Sequence, residues 1–314
     1  MSSLKGSVKD TVDRDSECAS PSVGCDFVGE ITTVPAKTET KVFKVSDIRR
    51  IKEFMLKDLK VDTIPGYIDV ACLPNGRIVI ADYKNSTCCL CSSSYQHVSD
   101  FKVSSKPWSI CPVDTNEVAV VLPEENKIQL LRVDDSIQPS RFIKTTRVCV
   151  AVVALSRNEF VFCGPGTESD RNIYWGVIAR DGREKSCFHF SSGNKQSRTV
   201  YLALNSSKTQ VYISCSATQS VLCFGLNGKI KFEHKIEECC PKGIHLDSQD
   251  NVYVVLHESN SIRLLSPDGQ LQRTFSSHIP SFPIALSFKH SSNEFILTNG
   301  SETDRRICYV YQLA

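Results

Sequence analysis

The chain has 314 residues, enough for one large repeat domain or two ordinary ones, and its net charge of +2 supplies no global field for nucleic acid or an acidic partner. The longest fully apolar run, Val148 to Leu155, is far too short to span a bilayer, and Met1 to Lys9 lacks the apolar stretch of a secretory leader, so a soluble cytoplasmic protein is expected. Fifteen cysteines are an odd number, and most sit inside apolar strand-like runs such as those around Cys72, Cys111, Cys163 and Cys223, where a reduced thiol acts as a small hydrophobe. The one Cys-x-x-Cys spacing, Cys88 to Cys91, falls in a strand pattern, where positions three apart face opposite ways; no zinc site, other metal or cofactor is expected.

Residues 1–39 are rich in Ser, Thr and charge, with Phe27 their only aromatic, and are read as a disordered tail or linker. Residues 40–314 change texture to short runs of Val, Ile, Cys and Leu broken by Gly, Asn, Asp and Ser, an all-β pattern without a sustained helical period. Two extended segments, Thr40 to Val45 and Lys52 to Lys57, precede the first full repeat.

The repeat then runs in order. Val70-Ala71-Cys72, a turn at Asn75-Gly76 and Ile78-Val79-Ile80 are matched by Ile110-Cys111-Pro112, Thr115-Asn116 and Val118-Ala119-Val120, and by four later pairs of runs. The anchors at 70, 110, 152, 202, 244 and 286 are 40, 42, 50, 42 and 42 residues apart. Polar turns at Lys84-Asn85, Glu125-Asn126, Ser259-Asn260 and Asp304-Arg305 lead to a third strand, and Asp181-Gly182, Asn227-Gly228 and Asp268-Gly269 supply the positive φ of a tight hairpin into a fourth. Six such units predict a six-bladed β-propeller of four-stranded antiparallel blades, starting near 66, 106, 147, 198, 241 and 282. The sixth unit ends with its third strand, Ile307 to Leu313, so an N-terminal strand, with Lys52 to Lys57 favoured, is expected to close the ring.

The segments Leu73-Pro74-Asn75-Gly76-Arg77-Ile78, Lys106-Pro107-Trp108-Ser109-Ile110, Asn116-Glu117-Val118-Ala119-Val120 and Leu265-Ser266-Pro267-Asp268-Gly269 resemble the NHL-type propeller at the C-terminus of tripartite-motif (TRIM) proteins, in particular the set expanded in molluscs. The resemblance implies the substrate-recognition end of a ubiquitin-ligase system. It covers about 41 to 314 without the RING, B-box or coiled coil of such proteins, so this chain alone would not carry the ligase step.

Propellers of this kind bind on the face made by the loops leading into each inner strand and those joining second to third strands. Tyr67, Lys106, Trp108, Arg147, Arg198 and Lys242 fall in the first set and are the candidate partner-binding residues; Lys84, Arg171 and Arg305 fall in the second. Basic residues beside aromatics suit single-stranded RNA, yet Glu124, Glu125, Glu168, Asp170, Glu258 and Asp304 share these loops, as on an ordinary solvated rim. Trp108 reads equally as a wedge between blades. No catalytic residue is assigned. Inner strands offer only Asp69, Ser109 and His245 where a propeller hydrolase or lyase gathers metal ligands, and Tyr201 occupies the fourth unit's position. The reading is a monomeric, non-enzymatic scaffold for a protein or peptide, with RNA binding second and a metal-dependent propeller enzyme third.

Overall fold

A computed structural model describes residues 47–56, 65–166, 172–192, 199–237, 239–301 and 307–314. The expected six sheets are present, each of four antiparallel strands. Their inner strands are Tyr67–Cys72, Ser109–Pro112, Ala151–Ser156, Val200–Leu204, Pro241–Leu246 and Pro283–Phe288, for blades 1 to 6. The regular part is strand throughout, save one turn of 3-10 helix at Pro123–Glu125, and no helix of the described residues is long and apolar enough to cross a membrane.

Turn chemistry explains why the runs break where they do. At equivalent points between second and third strands, Ser86, Asn126, Gln219 and Asn260 take φ of 49–51°, a left-handed conformation that small or amide side chains tolerate best. The hairpin glycines do more than turn. A Cβ on Gly228 would lie 2.3 Å from Phe188, and one on Gly269 would lie 2.4 Å from Phe232. In each case an outer-strand ring of one blade rests on the turn of the next.

Six separate apolar clusters fill the six seams between neighbouring blades. Both faces of every sheet are therefore buried, which is why second strands such as Ile78–Asp82 and Val252–Leu256 are buried along their whole length, while outer strands such as His97–Lys102 alternate. The cysteines follow this division. Cys88 packs in the seam of blades 1 and 2, and Cys89 and Cys91 in that of blades 6 and 1, so the Cys-x-x-Cys pair straddles its sheet. Burial pushes the Cys88 and Cys91 thiols up to about 12, leaving them protonated at neutral pH.

Blade 6 is completed from the other end of the chain. The strand Ile48–Met55 runs antiparallel to Ile307–Leu313 and forms the outer edge of that sheet. The closing strand thus begins before the expected Lys52 and ends at Met55; Thr40 to Val45 lies outside the described residues. A bulge at Ile51 interrupts the register between Arg50 and Lys52. With a strict period of two, Ile48 and Phe54 would share a face. The inserted residue reverses the parity, so Ile48 enters the seam of blades 5 and 6 while Phe54 enters that of blades 6 and 1. Blade 1 grips the strand in turn: Phe54 packs on Tyr95 at 5.3 Å, Lys52 lies 4.9 Å over the same ring, and the Tyr95 hydroxyl donates to Glu294 at 2.8 Å while accepting from Lys289 at 3.0 Å.

Phe54→Ala should therefore destabilise the whole ring by about 3 kcal/mol in urea unfolding, as for an aromatic lost from a core, whereas Ile51→Ala should stay within about 0.5 kcal/mol of wild type. Equal effects would show that the bulge does not divide the strand between the two seams.

Candidate recognition face and central axis

Four of the six proposed binding residues reach the face made by the loops leading into the inner strands. Lys106 and Trp108 converge on a third residue, Tyr83, from the turn of blade 1. The Lys106 ammonium lies 5.2 Å from the Tyr83 ring centre, and the Trp108 ring meets it edge-on at 5.3 Å. This cation–aromatic–aromatic group spans the seam of blades 1 and 2. Trp108 is half-buried against the apolar core, as the wedge reading expected, with its amide bonded to Val121 at 3.0 Å, and its ring also borders the half-buried Tyr83.

Arg147 stands on blade 3, exposed, with its guanidinium 5.4 Å from the ring centre of Tyr174. Lys242 is half-buried on blade 5, where its carbonyl accepts the Ser214 hydroxyl at 2.6 Å and ties blade 5 to blade 4. Tyr67 is a core residue, only 1% exposed, in the seam of blades 6 and 1. Its ring packs into that seam among Phe54, Ile78 and Val310, which corrects its assignment to the binding surface. Arg198, Arg171, Arg305, Glu168, Asp170 and Asp304 lie outside the described residues. Two acids of the rim are already engaged: Glu125 accepts from Ser104 at 2.5 Å and from Lys127 at 3.3 Å, and Glu258 accepts the Cys240 amide at 2.9 Å.

Sequence reasoning missed Tyr83 and Phe282. Phe282 precedes Pro283 at the start of blade 6, much as Pro107 and Trp108 start blade 2, and that was the available signal. It is 46% exposed at φ 55°, an unfavourable conformation for a bulky residue. Both its backbone groups are held, its amide by the Asn260 side chain and its carbonyl by the Gly300 amide, each at 2.7 Å, and His257 packs beside its ring at 5.3 Å. Val148, 42% exposed next to Arg147, adds a further apolar point on this face.

The axis is occupied by the chain itself. Tyr201 on blade 4 reaches across to the Ile68 carbonyl on blade 1, a long contact of 3.5 Å. Asp69 is buried and spends its carboxylate on backbone: one oxygen accepts the Val70 amide and the other the Ile110 amide, both at 2.9 Å, stapling the inner strands of blades 1 and 2. His245 is half-buried on blade 5, with Nδ1 2.9 Å from the Leu246 carbonyl, and burial lowers its pKa. Among the described residues, no three His, Cys, Asp or Glu side chains group as metal ligands.

The sequence matches no protein-family model and no curated protein. In structure the chain is similar to virginiamycin B lyase from Staphylococcus aureus, with 14% identity and a TM-score of 0.59 over 85% of this chain and 100% of that one. It is also similar to the β-propeller domain of Cps50 from Myceliophteria thermophila (8% identity, TM-score 0.57, covering 79% and 84% of the two chains) and to a luciferin-regenerating enzyme (16%, 0.51, 83% and 95%). Likeness at such identity establishes the propeller fold alone.

Desolvation raises the Asp69 carboxyl to about 7, against the opposing pull of the Ile110 and Val70 amides and the Ser109 hydroxyl. Between roughly pH 4 and 7 the folded chain then holds a proton that the unfolded chain has released, so this group's contribution to stability falls as pH rises. The melting-temperature advantage of wild type over Asp69→Asn should shrink from pH 5 to pH 8. A gap that is constant or widens would mean that Asp69 is ionised throughout.

Proposed function

We propose that this chain is a recognition propeller that binds a protein or peptide, similar in role to the NHL-type propellers that select substrates for tripartite-motif ubiquitin ligases, and that it is not an enzyme. The carrying observation is the Lys106–Tyr83–Trp108 group, a half-buried aromatic pair with an exposed cation stacked on it. Aromatic residues set beside half-buried apolar surface are the usual carriers of protein-binding energy. Phe282 and Val148 on the same face add exposed apolar area that a folded or extended polypeptide can cover. The axial side chains favour the same reading, since Asp69 and His245 direct their polar atoms at backbone and Tyr201 fills the space between opposite blades.

RNA is the second reading. Arg147 and Lys106 are exposed cations on one loop face, and the partly exposed Tyr83 ring lies beside Lys106, a combination that also suits a stacked base beside a phosphate. Glu124 and Glu258, exposed on the same loops, work against a polyanion.

The two readings differ in salt dependence. The wild-type chain, immobilised and exposed to an extract of its source tissue with and without RNase, should retain a polypeptide partner whose binding falls only gently with added salt. Replacing Lys106 and Arg147, both exposed, by Ala should weaken capture without lowering the melting temperature by more than a few degrees, and adding Tyr83→Ala and Trp108→Ala should remove it at a cost in stability, since those rings are half-buried. Capture that RNase abolishes, with log affinity falling by roughly 0.7 per phosphate contact for each tenfold rise in salt, would replace the protein reading with RNA.

A further inference from the structure

On the face opposite the proposed recognition surface, the hairpin turns of blades 2 and 3 enclose an open cleft of about 800 Å³, within the size range of small-ligand sites. Three arginines line it: Arg132, Arg157 and Arg180. Three carboxylates accompany them, and a count of donors and acceptors decides what the cleft can take.

Every carboxylate oxygen is already used. Glu117 is consumed by Arg180, its two oxygens accepting from Nη1 at 2.8 Å and Nη2 at 2.6 Å, and Arg180 Nη1 is further fixed on the Arg157 carbonyl at 2.8 Å. Asp114 accepts the Asn116 amide on one oxygen and Arg157 on the other, through Nε at 2.8 Å and Nη2 at 2.7 Å. Asp134 accepts the Asn116 side chain at 2.6 Å and Arg132 Nε at 2.5 Å.

Donors remain in surplus. Arg132 engages its carboxylate through Nε alone, leaving both terminal nitrogens without a protein partner among the described residues, and Arg157 leaves Nη1. These two side chains are 68% and 77% exposed. Thr115, Ser140 and Asn158 add hydroxyl and amide groups to the same lining, and no apolar residue is part of it. A cleft whose carboxylate oxygens each already hold a donor, and whose spare guanidinium donors face outward, favours a ligand whose surface is acceptors.

We propose that this cleft between blades 2 and 3 binds a small, multiply charged oxyanion, held by the terminal nitrogens of Arg132 and Arg157 over a floor that the Arg180–Glu117 pair keeps rigid. Phosphoryl and carboxylate ligands share this chemistry. The proposal is independent of the recognition face, since it rests on different loops.

Titration of the full chain with inorganic pyrophosphate and, separately, with citrate at matched ionic strength tests it by calorimetry. One or both should bind saturably and raise the melting temperature, and the stronger of the two identifies the phosphoryl or the carboxylate source. Arg132→Ala with Arg157→Ala should weaken binding by at least about tenfold, the loss of one or two charge-assisted hydrogen bonds. Both side chains are exposed, so the melting temperature without ligand should stay near that of wild type. Asp134→Asn, which leaves Arg132 unneutralised, should bind at least as tightly as wild type, and Lys229→Ala with Lys231→Ala on blade 4 should change nothing. No saturable binding of either ion, or equal binding in the arginine variant, would overturn the proposal.

Discussion

The rest of the structure depends on one pairing, that of Ile48–Met55 with Ile307–Leu313. A chain of repeated sheets always ends on an open edge, and the bare backbone groups of such an edge invite association with other chains. Here the strand Ile48–Met55 covers the edge that Ile307–Leu313 would otherwise leave bare, so that blade 6 has four strands like the other five. Blade 6 borrows its outer strand from the segment before blade 1, and the loop of sheets becomes a ring. The bulge at Ile51 gives the join a second use, because it sends Ile48 and Phe54 into different seams. Blades 5, 6 and 1 are thereby tied by one strand, and the Tyr95–Lys289–Glu294 group beside it adds a polar clasp.

Closure also determines where function can lie. With six seams packed, the inner strands are held against each other by contacts such as Asp69 to the Ile110 amide and Ser287 to the Cys72 amide, and Tyr201 crosses the axis. Chemistry-bearing side chains near the axis are therefore employed in holding strands together. What remains accessible is the two loop faces, and they differ in kind. One presents aromatic and apolar points with cations stacked on them, which we propose serve a polypeptide; the other presents paired carboxylates and spare guanidinium donors, which we propose serve an oxyanion.

The blade count, strand order and open sixth unit were legible because they rest on strong local signals: apolar runs at a near-constant spacing, and Asn or Gly where the backbone turns left-handed. The third strand of the sixth unit, Ile307–Leu313, could be read to the residue. The closing strand was placed less well, since six of its eight residues are exposed and an outer strand carries little apolar pattern. The Ile51 bulge has no sequence signature of its own. Lys106, Trp108 and Arg147 could be placed on this face because loop position alone marks them, but Tyr67 was not distinguished from them, for the first residue of a strand can face either way. Tyr83 and Phe282 escaped notice because their importance lies in what other blades place beside them. The cleft was invisible for the same reason, being assembled from turns at 114–117, 157–158 and 180 together with strand residues at 132 and 140.

The closure claim is tested most directly by two truncations compared in the same thermal and size-exclusion measurements. Removal of residues 1–46 leaves the closing strand whole and should preserve the melting temperature and a monomeric profile. Removal of residues 1–56 strips blade 6 of its outer strand and uncovers the Ile307–Leu313 edge, and should give a chain that unfolds or aggregates. Equal stability of the two truncated chains would contradict the account, since the ring would then stand without the strand that is held to close it.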